Sequence, residues 1–258
     1  MAFFLAHTPN QVSKQARASV RLCFPELSAP ERKNLFREVM RHTCYTMTEL
    51  GTIWSRPPEQ VLGLITKIDV CPEFDATEKA RIVLAPHLGS WETLAQWLGQ
   101  NKSSMFLYKR RENRALDKFI CDCRSRTGGE AVPTKKRGLR KLLIGIREGR
   151  TLMILPDQRP GRNKAFIEST FFGFDAPTST VVHNLCSKVE CDVFIATMYR
   201  STPVGEFGLR IEPLDYARLS GDEVESAAYM NGAIERLVRD YPGQYQWGYR
   251  RFKSTAYK

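Results

Sequence analysis

The sequence has no apolar stretch long enough to cross a membrane as a helix. A spanning helix needs about 18 or more consecutive apolar residues, and the longest runs here, at 1–6, 82–85 and 152–155, are far shorter. The apolar start, MAFFLAHTP, also lacks the basic region and the small-residue cleavage site of a signal peptide. We therefore expect neither a helical membrane span nor secretion.

Cysteine is present, but without the spacing of a zinc site or a disulfide framework. The seven cysteines form an odd set, no pair has the C-x-x-C spacing, and the closest pairs are Cys121 with Cys123 and Cys186 with Cys191. A chain of 258 residues buries enough surface to fold without such cross-links. We expect reduced, mostly buried thiols, as in a cytosolic protein.

Three common motifs of nucleotide-binding and hydrolytic enzymes are missing as well. The sequence contains no G-x4-G-K-[ST], no G-x-G-x-x-G and no G-x-S-x-G. Their absence argues against a P-loop enzyme, a Rossmann dehydrogenase and a serine hydrolase of the nucleophile-elbow type.

What the sequence does have is a localised excess of positive charge. Its 39 Lys and Arg residues against 28 Asp and Glu give a formal charge of +11. Between Lys102 and Lys164 there are 18 basic and six acidic residues, a local balance of +12, so the rest of the chain is nearly balanced. This stretch is either a solvated basic surface or a face that meets an anion: nucleic acid, an anionic membrane surface, a phosphorylated lipid or an acidic carrier protein.

The pattern of apolar residues predicts an α/β fold. Residues 10–22 read as a basic helix, Ser28 and Glu31 have the spacing of a capping box that starts a second helix, and a loop-rich segment runs to about residue 79. Short apolar runs typical of strands then alternate with helical patterns. The runs are 81–85, 105–108, 152–155, 193–198 and 209–211, and the helices are 90–98, 113–125, 139–148, 179–188 and 223–239.

This alternation predicts one α/β domain with a mainly parallel central sheet flanked by helices. We assign it to residues 59–258 and assign residues 1–58 to an N-terminal helical extension. No internal repeat or long linker divides the chain further.

Polar side chains gather where three of the predicted strands end, at 86–92, 108–113 and 156–161. Active groups of such sheets lie where strands end and loops begin, so these clusters are expected to converge. His87 directly follows the first strand, and Glu92 would lie in the first turn of a helix capped by Ser90. A carboxylate on one ring nitrogen would leave the other nitrogen as a general base, so the pattern predicts a dyad of His87 and Glu92.

The cysteines and the other three histidines are weaker candidates for catalytic residues. A cysteine nucleophile paired with His87 stays open, although no cysteine lies at a comparable strand-end turn. His42 lies on a charged helix and His183 within a predicted helix, so we expect structural roles for both and for His7.

Six segments occur in an order that is more specific than any one of them alone. They are LCFPELSAPER at 22–32, His87-x4-Glu92, Tyr108-Lys-Arg-x-x-Asn113, LPDQRPG at 155–161, FFG at 171–173 followed by PTST at 177–180, and QYQWGYRRFK at 244–253. In this order they resemble the late acyltransferases of lipid A biosynthesis, the lauroyl and myristoyl type, within the lysophospholipid acyltransferase-like superfamily.

The resemblance implies an O-acyltransferase that moves a fatty acyl chain from an acyl carrier protein thioester, or from acyl-CoA, to a hydroxyl group of a lipid A precursor. His87 would take the hydroxyl proton, and Glu92 would orient the imidazole and stabilise its charged form. An arginine would lie near the developing oxyanion; by spacing Arg126 is the better match, with Arg124 close behind. No metal and no cofactor is implied.

Further positions match the family by their place in its motifs. Asp157 and Gln158 would support the site, although Asp157 could also be a simple turn residue. Tyr108, Arg110 and Asn113 would contact substrate, and the chain reads Tyr-Lys-Arg there where the family usually reads Tyr-Arg-Pro.

The resemblance also implies partners and a place in the cell. Acyl carrier protein, an anionic glycolipid and an anionic membrane surface are expected, and no nucleic acid. Family members usually begin with an apolar membrane anchor, and this chain starts just after the place where the anchor would be. We expect a peripheral protein on the cytoplasmic face of the bacterial inner membrane, with residues 1–58 near the membrane.

Two alternatives remain. An acyltransferase of the same superfamily acting on another lysolipid or glycolipid would fit the same motifs. A basic nucleic-acid-binding protein is a distant alternative, because only the charge supports it and no helix-turn-helix, RNP or OB signature is present.

Overall fold

The computed structural model describes residues 10–108, 110, 112–133, 136–161, 164–202, 205–253 and 257. The helices of this part of the chain are α1 (Gln11–Cys23), α2 (Ala29–Ser55), α3 (Pro58–Leu62), α4 (Pro72–Ala76), α5 (Trp91–Asn101), α6 (Arg114–Ser125), α7 (Lys136–Arg147), α8 (Val181–Cys186), α9 (Tyr216–Ser220) and α10 (Glu223–Asp240). The strands are β1 (Ile65–Val70), β2 (Arg81–Leu84), β3 (Ser104–Tyr108), β4 (Glu130–Pro133), β5 (Thr151–Ile154), β6 (Phe166–Phe171), β7 (Phe174–Ser179), β8 (Asp192–Arg200) and β9 (Phe207–Leu214). A short 3-10 helix, Pro242–Gln244, follows α10.

The strands form a seven-stranded sheet in the order β1-β9-β8-β2-β5-β3-β4 and a separate β6-β7 hairpin. The five strands from β8 to β4 run parallel, whereas β9 is antiparallel to β8 and carries β1 as its parallel neighbour. Helices cover both faces, so the predicted α/β fold with a mainly parallel sheet is confirmed.

The central strands are buried on both faces, which is why they read as continuous apolar runs. Along β2, Ile82 and Leu84 pack into one hydrophobic cluster and Val83 into the other. Along β5, Ile154 and Met153 divide in the same way. The two clusters are the cores on the two faces of the sheet.

Helix α2 begins at the predicted capping box. The backbone N–H of Ser28 donates to the Glu31 carboxylate at 2.7 Å, and the N–H of Glu31 donates back to Ser28 Oγ. Apolar side chains of α1 and α2, among them Val20 and Met40, share a hydrophobic cluster with Ile82 of the sheet. The division of the chain at residue 58 stays a prediction.

Some elements lie where the sequence predicts no strand. β1 falls in the segment expected to be a loop, and β4 and the β6-β7 hairpin are also unpredicted. Both β1 and β4 are edge strands of the sheet. Charged Lys67 and Asp69 interrupt β1, and its Ile68 is exposed, so it lacks the apolar run of a central strand.

The structure tests only part of the predictions about membrane spans and the N-terminus. No helix of the described residues is long and apolar enough to cross a membrane. The apolar run at 1–6 and His7 lie outside the described residues.

Candidate active site

The turns that follow β2 and β5 lie side by side. The two strands are parallel neighbours with Leu84 opposite Ile154, and the N–H of Ala85 donates to the Ile154 carbonyl at 2.8 Å. The chain therefore leaves both strands at the same edge of the sheet. Two of the three predicted polar clusters, 86–92 and 156–161, meet at this edge.

A tight turn fixes the backbone around His87. The N–H of Leu88 donates to the Pro86 carbonyl at 2.6 Å, and Gly89 has a φ of +64°. A Cβ atom at Gly89 would lie 2.1 Å from the Met198 carbonyl oxygen, so only glycine fits between this turn and β8. The N–H of Ser90 donates to the same Met198 oxygen at 2.7 Å, which ties the turn to the sheet.

His87 is held by the carboxylate of Asp157. His87 Nδ1 lies 2.8 Å from Asp157 Oδ1, and the backbone N–H of His87 donates to Asp157 Oδ2 at 3.0 Å. The Asp157 side chain is 3% exposed and that of His87 is 15% exposed. Burial raises the pKa of a carboxyl group, but the charge and hydrogen bonds of His87 outweigh it and hold the pKa of Asp157 below its ordinary value.

The second ring nitrogen of His87 faces Gln158. Because Asp157 accepts the proton on Nδ1, the neutral imidazole carries its lone pair on Nε2. Gln158 Nε2 lies 3.1 Å from this nitrogen, and the ring of Trp91 packs against the imidazole with 5.0 Å between centroids. His87 therefore has the tautomer that a general base requires.

The C-terminal segment forms a third wall of the site. The N–H of Gln246 donates to the His87 carbonyl at 3.0 Å, and Tyr245 forms an isolated β-bridge with Leu88. Burial, and then the charge of Asp157, raises the pKa of Tyr245 well above its ordinary value. The buried Arg251 lies close enough for its positive charge to act on Asp157 as well.

The sequence does not predict these contacts of the C-terminal segment. Residues 244–253 stand out only as one segment of a family pattern, and Tyr245 and Gln246 lie almost 90 residues from Asp157 and Gln158 in sequence. Contacts at such separation leave no periodicity or spacing signal.

The structure gives Glu92 a different partner from the predicted one. Glu92 lies in the first turn of α5, but its carboxylate pairs with Arg124, whose Nε lies 2.8 Å from Oε2 and whose Nη2 contacts Oε1. Burial disfavours the charged guanidinium, but Glu92 raises the pKa of Arg124 above its ordinary value. The predicted contact of Glu92 with the imidazole is thus corrected: a bidentate guanidinium satisfies Glu92, and Asp157 takes the place at Nδ1. Ser90 precedes α5 without a side-chain capping bond.

The two arginines proposed for the oxyanion lie in different surroundings. Arg124 is held at Glu92, five residues beyond His87. Arg126 donates from Nη2 to the carbonyl of Ile53 in α2 at 3.0 Å and from Nε to the carbonyl of Cys123. Arg126 therefore joins two helices, and Arg124 is the arginine tied to the helix that follows the His87 turn.

The third polar cluster follows β3, the next strand after β5 in the sheet. Tyr108 is the last residue of β3. Burial, and then a contact with the thiol of Cys121, raises the pKa of Tyr108 above its ordinary value, although Arg110 acts in the opposite direction. Asn113 caps α6, because its side chain accepts the N–H of Leu116 at 3.1 Å. Lys109 and Arg111 of the cluster lie outside the described residues.

The remaining histidines and the cysteines have other surroundings. His42 stacks edge-on with Tyr45, and His183 Nδ1 lies 3.3 Å from the Leu219 carbonyl. All seven cysteines are free, and five of them are buried. The described contacts of the His87 imidazole are with Asp157, Gln158 and Trp91, and none of them is with a thiol.

Comparisons with known proteins agree over nearly the whole chain. The sequence model of the bacterial lipid A biosynthesis acyltransferase family matches residues 1–254. The lipid A biosynthesis palmitoleoyltransferase of Escherichia coli K12 is 26% identical over 241 residues, which are 93% of this chain and 78% of that protein. The lipid A biosynthesis lauroyltransferase of the same organism is 22% identical over 246 residues, 94% of this chain and 79% of that protein.

A solved structure is also similar. The crystal structure of the 1-acyl-sn-glycerophosphate acyltransferase of Thermotoga maritima aligns with a TM-score of 0.41 and 14% identity. The alignment covers 81% of this chain and 95% of that one.

Proposed function

This chain belongs to the bacterial lipid A biosynthesis acyltransferase family and is an O-acyltransferase, and we propose that it moves a fatty acyl chain from an acyl carrier protein thioester to a hydroxyl group of a lipid A precursor. The observation that carries the proposal is the imidazole of His87, held at Nδ1 by a buried carboxylate with its lone pair on Nε2. Acyl-CoA would present the same thioester and is the alternative donor.

In the proposed reaction His87 Nε2 takes the proton of the acceptor hydroxyl while the oxygen attacks the thioester carbonyl carbon. A C–O bond forms and a tetrahedral oxyanion appears. The C–S bond then breaks, and the imidazolium returns its proton to the departing thiolate. The products are the acylated lipid and the free thiol of the carrier, and the steps require no cofactor or metal.

We assign the orienting carboxylate to Asp157. An imidazolium forms during the reaction, and a carboxylate that stays ionised stabilises it at Nδ1. Asp157 suits this role because its pKa is held below the ordinary value and because it also fixes the His87 backbone. The buried Tyr245 lies close enough to Asp157 for the carboxylate charge, after burial, to raise the pKa of its phenol.

Glu92 and Arg124 act together in the proposal. Glu92 holds the guanidinium of Arg124 in one orientation at the start of α5. A fixed positive group close to the site would stabilise the negative charge that develops on the carbonyl oxygen. We therefore favour Arg124 over Arg126 for this role, because Arg126 is tied to the Ile53 carbonyl.

The membrane contact is proposed to lie at the β4 end of the sheet, where helices α6 and α7 flank the edge strand from opposite sides; we call this end of the molecule the α6-α7 face. These helices follow β3 and β4, so both begin at the edge of the sheet that carries His87. The face exposes the apolar side chains of Leu116, Phe119, Leu139 and Ile144. α7 contains five basic residues and no acidic one.

Exposed apolar side chains among basic ones suit an interface with anionic lipid. On this proposal the protein attaches peripherally to the cytoplasmic face of the inner membrane, where its acceptor lipid and the acyl carrier protein can both reach the same edge of the sheet. The basic stretch from Lys102 to Lys164, of which this face is a part, matches the negative charge of both.

Mass spectrometry of lipid A tests the proposed function. Lipid A from cells that carry the gene should exceed lipid A from deletion cells by the mass of one acyl group, and cells with His87→Ala should match the deletion. If the same mass change appears on another glycolipid or lysolipid instead, that lipid is the acceptor. Identical lipids in all three strains would contradict the proposal.

A further inference from the structure

The lone pair of the proposed base is already occupied in this structure. Gln158 Nε2 lies 3.1 Å from His87 Nε2, and the same amide nitrogen lies 3.3 Å from Gln246 Oε1. An amide nitrogen only donates, so its two hydrogens serve the imidazole and the Gln246 carbonyl oxygen. The first of these bonds takes the lone pair that must accept the hydroxyl proton.

Gln246 is fixed beside the base by its backbone. Its N–H donates to the His87 carbonyl at 3.0 Å, and Gly89 on the same turn donates to the Gln244 carbonyl at 3.2 Å. These bonds do not involve the Gln246 side chain. They leave the amide oxygen of Gln246 free to accept from Gln158, so Gln246 is an anchor for Gln158 beside His87.

We propose that Gln158, anchored by Gln246, is a cap on the base that the acceptor hydroxyl displaces and that water displaces poorly. This inference rests on the proposed acyl transfer. A lipid hydroxyl arrives with the other contacts of its large molecule, which offset the lost bond between Gln158 and His87. A water molecule brings no other contact, so the capped base activates water less often than it activates the acceptor.

The cap thus limits a wasteful reaction. If His87 takes a proton from water, the water oxygen attacks the thioester carbonyl, the C–S bond breaks, and a free fatty acid and a thiol are released. Once displaced, the Gln158 amide stays next to the acceptor oxygen because Gln246 still holds it. Gln158 is therefore a specificity determinant between hydroxyl and water.

The experiment measures both products with the full-length protein and acyl carrier protein charged with a labelled acyl chain. Hydrolysis is followed as free fatty acid without acceptor, and transfer as labelled lipid with a lipid A precursor. Gln158→Met, which keeps the size but has no donor, should raise hydrolysis without acceptor about 5-fold, the equivalent of one net hydrogen bond. Gln246→Leu should raise it in the same direction and less, because its backbone bond to His87 remains.

A second readout separates a cap from a merely structural residue. Gln158→Glu places a carboxylate against Nε2, which favours the protonated imidazole, so the rate of transfer should need a higher pH to reach its plateau. Equal losses of hydrolysis and transfer in Gln158→Met, with no change in the pH profile of Gln158→Glu, would overturn the inference. Absence of transfer by the unmodified protein would instead contradict the proposed function.

Discussion

The carboxylate of Asp157 contacts His87 twice, at the ring nitrogen Nδ1 over 2.8 Å and at the backbone N–H over 3.0 Å. The two residues are 70 positions apart in the sequence and come from the turns after two neighbouring parallel strands. One acidic side chain thus sets the ring orientation, the tautomer and the backbone position of the proposed base.

Asp157→Asn tests that relationship. An amide cannot stabilise the imidazolium and favours the wrong tautomer, so we expect kcat for acyl transfer to fall by about 10²–10⁴-fold. Asp175→Asn, an exposed aspartate on β7, is the matched control and should keep full activity. Unchanged kcat in Asp157→Asn would remove Asp157 from the mechanism.

Glu92→Gln tests the pair with Arg124. The variant leaves the charge of Arg124 without a partner, so we expect the free energy of unfolding to fall by about 2–4 kcal/mol, less than for a fully buried pair. The double variant with Arg124→Gln should recover part of this loss in a double-mutant cycle measured by urea unfolding. Unchanged stability in Glu92→Gln would show that the ion pair with Arg124 does not stabilise the fold.

His42 gives a pH dependence of stability. Burial, followed by the charges of Arg200 and Arg41, lowers the pKa of His42 to about 4, below its value of about 6.5 in an unfolded chain. The unfolded chain then binds more protons between these pH values, so stability falls as the pH drops from about 6.5 towards 4.

After allowance for partial exposure, we expect the free energy of unfolding to fall by roughly 1–2 kcal/mol over this range. Urea unfolding at several pH values measures it. In His42→Gln this part of the pH dependence should disappear, and an identical pH profile in the variant would show that His42 is not its source.

Charge reversal on the α6-α7 face tests membrane binding. We expect Arg137→Glu with Arg140→Glu to weaken binding to vesicles of anionic lipid at low salt by at least about 30-fold, since each basic residue near such a surface contributes about 1 kcal/mol. Lys188→Glu with Arg236→Glu makes the same change in net charge at exposed positions outside the basic stretch and is the control. Equal losses in both double variants would mean that net charge, and not this face, decides binding.

The sequence predicts well whatever depends on local pattern. The apolar runs of β2 and β5 mark central strands because both of their faces are buried, and Ser28 with Glu31 marks the start of α2 because capping is a local interaction. The edge strand β1 escapes prediction because its charged positions face solvent.

The site also has a part that the sequence predicts and a part that it does not. His87 is predictable because it follows a buried strand directly, and the meeting of the 86–92 and 156–161 clusters follows from parallel strands. The choice of partner is not predictable. Glu92 is near His87 in sequence, yet Arg124 takes its carboxylate, and the contacts of Asp157 and Gln246 with His87 depend on register and on the course of the C-terminal segment.

Acyl transfer by His87→Ala tests most directly whether His87 is the base. The purified protein would be given acyl carrier protein charged with a labelled acyl chain and a lipid A precursor, and the labelled lipid would be quantified beside the unmodified protein. We expect the unmodified protein to acylate the precursor and His87→Ala to be at least about 100-fold slower, while urea unfolding verifies that the variant is folded. Transfer by folded His87→Ala at the rate of the unmodified protein would contradict the role of His87 as the base.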